Sequence, residues 1–136
     1  MDIASQKRTL NREEIELWLE TENRVRRGIG EERMSVSPEM ASTILRGGLV
    51  VGAMWSRPVV VGKSEHGPDA VVFTDFDEVD HRVTATDIQR AAETWAADNP
   101  GDAFTAALRD DNVPRHVPPR AADEICQLAA FGTIRY

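Results

Sequence analysis

The chain has 136 residues, 41% of them hydrophobic and 29% charged, with a formal net charge of −7. That length suits one domain burying about two thirds of the surface of its unfolded chain, and the composition is that of a globular rather than a disordered protein. The acidic balance argues against general nucleic-acid binding and against attachment to an anionic membrane surface, both of which need a basic face. No run approaches the roughly 20 apolar residues of a membrane span.

The opening residues, Met1-Asp-Ile-Ala-Ser-Gln-Lys-Arg, carry neither an apolar signal core nor a myristoylation glycine, so a cytoplasmic protein is expected. Cys126 is the single cysteine. It cannot form an internal disulfide, and its place in the apolar-spaced run Ala122 to Phe131 reads as a buried thiol acting as a small hydrophobe.

In chain order, the first expected element is a helix from about Arg12 to Arg27. Asn11 with Glu14 has capping-box spacing, Leu10 with Ile15 fits a hydrophobic staple, and Gly28 supplies the stop. A second helix is predicted to start at Ser37, with Pro38 in its first turn, and to end at Gly47-Gly48. Three short strand-favouring runs follow, Leu49 to Trp55, Val59 to Val61 and Ala70 to Phe76, joined by connections too short for crossover helices. Thr86, with Gln89 three residues on, marks the next helix, which Asn99-Pro100 ends. A further helix carries Phe104, Ala107 and Leu108, a proline-rich loop spans Asp110 to Arg120, and a last helix runs from about Arg120 to Phe131. Thr133 to Tyr136 alternates like a short strand, available to its own sheet edge or to that of another subunit in a homo-oligomer.

The expected fold is therefore α+β, a single domain over residues 1–136. It consists of a small antiparallel β-meander of about three strands, with a fourth on offer from the C-terminus, packed by about five helices.

Four groups of residues bear on chemistry. Val61-Gly62-Lys63-Ser64 has the tail of a phosphate-binding loop, but Arg57 stands where that loop needs its first glycine, and Lys63 reads as a hairpin-turn charge. Asp75, Asp77 and Asp80 gather beside His81 where the valine-rich centre ends. Carboxylate oxygens of this kind suit a hard cation such as magnesium, with His81 as a candidate acid/base. A solvated acidic turn is the plainer reading. Arg115-His116-Val117-Pro118-Pro119-Arg120 is a basic, proline-stiffened loop in an acidic chain. Its Arg115, His116 and Arg120 are candidates to grip a small anion. Trp18, Trp55 and Trp95 read as core anchors.

The stretch Asp75-Phe-Asp77-Glu-Val79 resembles the strand-end D-x-D-x-T/V motif of haloacid-dehalogenase-like phosphatases. That resemblance implies a nucleophilic Asp75, an acid/base Asp77 and a nearby magnesium ion. It covers only these residues, and the family's downstream lysine has no counterpart after Lys63. The carry-over fails at a required group.

No complete catalytic set emerges. The expectation is a non-catalytic interaction or regulatory protein, inhibitor-like, immunity-like or ligand-capturing, without a cofactor. Its partner would be a protein, basic by charge complementarity, or a small anionic ligand. The alternative is a divalent-metal-dependent hydrolase or phosphotransferase using the Asp75, Asp77 and Asp80 cluster.

Overall fold

The structure is a computed structural model in which residues 36–136 are described. The chain divides between Met34 and Ser35, and the fold below belongs to the unit that follows. The expected helix at Arg12 to Arg27, with Trp18, lies outside the described residues.

The unit is α+β. Helix α1 (Pro38–Val51) passes through a 3₁₀ turn (Gly52–Met54) into strands β1 (Ser56–Ser64), β2 (Gly67–Asp75) and β3 (Asp80–Thr84). Helices α2 (Ala85–Asp98), α3 (Ala103–Arg109) and α4 (Pro119–Phe131) follow. The sheet order β1-β2-β3 is an antiparallel meander, with Phe73 paired to Pro58 on one side and His81 on the other. The sheet class matches expectation, and among the described residues there are four α-helices rather than about five.

Alternation along β2 sends Val71, Phe73 and Asp75 to the helix-covered face, all buried. Helix α1 packs on β2, α2 and α4, and α2 packs on α4. Met40, Ile44, Phe73, Ile88, Trp95 and Ile125 fill the core between them. Val59 and Val61 lie on β1 exposed.

The first correction concerns Leu49 to Trp55, which is not a strand. Helix α1 continues through Gly47-Gly48 to Val51 because these glycines are packing positions rather than a stop. A Cβ on Gly47 would lie 3.1 Å from the Cβ of Ala122, and one on Gly48 would collide with the Cys126 sulfur. Two residues without side chains let α4 approach the α1 backbone. The meander is therefore shifted along the chain, and its third strand is Asp80–Thr84.

The second correction is the α2 start. Thr84 is the N-cap, with Thr84 and Asp87 forming a reciprocal capping box. Gln89, read as the partner of Thr86, instead donates its Nε2 to the Val36 carbonyl at 2.6 Å.

Thr133–Tyr136 forms no strand among the described residues. Gln127, fully buried, takes the role of a strand partner. Its Oε1 accepts the backbone N–H of Arg135 at 2.7 Å and of Tyr136 at 2.8 Å. Tyr136 thereby comes to rest parallel to Trp55, with ring centroids 6.1 Å apart.

Candidate functional site

The acidic turn is built from the end of β2. Asp75 is 4% exposed, and its Oδ1 accepts N–H bonds from Asp77 at 2.8 Å and Val79 at 3.0 Å. This closes the link to β3 as an aspartate-capped turn. Glu78 sits in it at a φ of 64°, a left-handed conformation held by its N–H bond to the Asp75 carbonyl. The other carboxylate oxygen, Oδ2, lies 2.8 Å from His81 Nε2. An ionised carboxylate can only accept, so Nε2 carries the proton in this pair. The His81 ring meets Phe131 edge-on, centroids 4.7 Å apart.

The hydrogen bond from His81 is the main cause that holds the Asp75 carboxyl below its ordinary range. The Val79 and Asp77 N–H groups act in the same direction, and desolvation partly opposes them. Glu78 is likewise lowered and Arg57 raised by their mutual two-pronged bond, at 2.9 and 3.1 Å. Asp80 Oδ1 accepts the Thr74 hydroxyl at 2.7 Å.

Of the four residues expected to share a cation, Asp75 and His81 are thus brought together while Asp77 and Asp80 stay apart from them. Asp75 turns inward onto His81, whereas Asp77 and Asp80 are exposed. Among the described residues no group of three or more His, Cys, Asp or Glu side chains is arranged to hold a metal ion.

The basic segment is arranged differently. Arg115 and His116 line one side of a cleft of about 400 Å³, and Arg46, Val50 and Val51 of α1 line the other, with Val117 between. Val117 is buried, so it pins the loop to the helix while its two basic neighbours stay exposed. Arg46 is held in place by a 2.9 Å bond from Nη2 to the His66 carbonyl in the β1–β2 turn. No carboxylate lines this cleft among the described residues.

Arg120, the third residue expected here, belongs to another arrangement. Its Nε donates to Glu124 Oε2 at 3.1 Å one turn along α4, and Glu124 Oε1 accepts the Trp95 indole N–H at 2.8 Å. Arg46 was not foreseen. Its signal was the helical spacing of Thr43, Arg46 and Val50, which becomes visible only when α1 is carried past its glycine pair.

Cys126 is fully buried, and burial pushes its thiol up to about 12, with Asp123 adding to the shift. It is the inert structural thiol expected. No helix among the described residues is long and apolar enough to cross a membrane. The chain matches no family model, no curated protein and no solved structure.

Proposed function

We propose that this protein is a non-catalytic regulatory factor, inhibitor-like or immunity-like, which acts by capturing a small anionic ligand or by occluding the surface of a basic partner. The observation that carries the reading is the cleft between α1 and the proline-rich loop, where Arg46, Arg115 and His116 surround apolar walls in a chain of net charge −7. Local positive charge in an acidic protein attracts an anion to that place. A cytoplasmic setting accords with the lone cysteine.

The hydrolase alternative has weaker support. Asp75 spends both oxygens on the turn and on His81, and Glu78 and Asp80 are engaged by Arg57 and Thr74. A carboxylate so occupied must surrender existing hydrogen bonds before it can ligate a cation.

Native mass spectrometry of freshly purified protein, beside Arg115→Gln, tests the proposal. The expected result is a retained anionic adduct that the variant loses. Calorimetric titration with magnesium and manganese, on the natural chain and on Asp75→Asn with Asp77→Asn, tests the alternative. Carboxylate-dependent binding there, with no adduct in the first experiment, would reverse the ranking of the two readings.

A further inference from the structure

Resting on the ligand-capture reading, we infer that the α1–loop cleft takes an organic carboxylate with a compact apolar body, rather than inorganic phosphate or a neutral apolar molecule. Two features of the cleft carry this. Its walls are valine and proline, from Val50 and Val51 on one side and Val117 and Pro119 on the other, so a ligand gains from placing hydrocarbon there. Its basic groups are Arg46 from α1 and Arg115 and His116 from the loop, with no lining carboxylate among the described residues.

A guanidinium meets a carboxylate with two parallel N–H bonds, a geometry that a planar acid satisfies without further donors. One Arg46 N–H is already fixed by the His66 carbonyl, which limits the freedom that side chain has to lose when it binds. A phosphate dianion would leave the valine walls unused, and a neutral hydrocarbon would leave the cations uncompensated. The cavity of about 400 Å³ lies at the lower end of the range for small-molecule pockets, which sets the ligand as compact.

Gly47 belongs to the lining of the cleft, where a Cβ would meet that of Val117 at 3.8 Å, an ordinary contact.

The test is a ¹H–¹⁵N NMR titration of the full chain with octanoate, octylamine, acetate and inorganic phosphate. Octanoate is expected to shift the amide signals of Gly47, Val50, Arg115 and Val117 saturably, with a Kd at least about tenfold below those of the other three probes. Arg115→Gln and Val50→Glu, both at exposed positions, should each weaken octanoate by about tenfold. If octylamine binds as well as octanoate, the electrostatic half of the inference is wrong. If phosphate binds more tightly than octanoate and moves the same signals, the ligand class is overturned while ligand capture stands. If no probe moves these signals, the inference and the reading beneath it fail together.

Discussion

Trp55 Nε1 donates a 2.8 Å hydrogen bond to Asp123 Oδ1, 68 residues further along the chain. The indole is 1% exposed and packs on Phe73 and Phe131 at centroid distances of 5.1 and 5.2 Å. The same carboxylate oxygen accepts Gln127 Nε2 at 3.1 Å. Gln127 in turn holds the backbone of Arg135 and Tyr136, so one acceptor joins the entry to β1, helix α4 and the C-terminal residues.

Asp123→Ala should therefore destabilise the protein by about 1–3 kcal/mol, because it strands a buried indole N–H. Urea unfolding measures this. Trp55→Phe removes the orphaned donor, so the double variant should lose less than the sum of the two single losses. Strict additivity would show that the bond contributes nothing.

Acid sensitivity should centre on Asp75. Its folded carboxyl titrates below its ordinary value, so the unfolded chain takes up the proton first as pH falls. The stabilisation is complete above the unfolded value near pH 4 and is lost as pH drops through the lower folded value. Asp75→Asn should lower the melting temperature at neutral pH, with the difference from the natural chain shrinking in acid. A gap that stays constant from pH 7 into acid would contradict this assignment.

Gly48 presents a conflict between local and tertiary preference. Alanine there would gain about 1 kcal/mol in helix propensity, but its Cβ would collide with the Cys126 sulfur and reach to 3.7 Å from Phe73 Cζ. Overpacking of this kind costs about 1–3 kcal/mol. Gly48→Ala should lower the unfolding midpoint, and adding Cys126→Ala should recover most of the loss. Failure of the second change to restore stability would place the strain elsewhere.

The Cys126 thiol, buried and titrating near 12, should resist alkylation in the folded protein. Iodoacetamide at pH 8 is expected to label it only as fast as the chain opens, with full reaction in denaturant. Rapid labelling without denaturant would contradict its burial.

Local chemistry matched the sequence reading at two helix ends. Ser37 caps α1 through a 3.1 Å bond from the Met40 N–H, with Pro38 in the first turn. Gly132 ends α4 at a φ of 78°. The antiparallel sheet class followed from short connections, which leave no room for crossover helices. Those inferences need only a residue and its near neighbours.

The α2 start turned on two overlapping local caps, Thr84 with Asp87 against Thr86 with Gln89, whereas the larger differences arose where a distant partner decides. Gly47-Gly48 has the composition of a helix stop and serves instead as the approach surface for α4, so the strand expected after it became helix. Asp75 shares its turn with Asp77 and Asp80 in sequence, yet burial and His81 claim it alone. Arg46 and Arg115 lie 69 positions apart and meet across one cleft. The sequence by itself determined the α+β class, the Ser37 and Gly132 helix ends and an inward-facing Cys126, because propensity, capping and hydrophobic period act within a few residues. Which faces touch, and so which charges converge, was decided by side-chain packing between segments that the linear order does not relate.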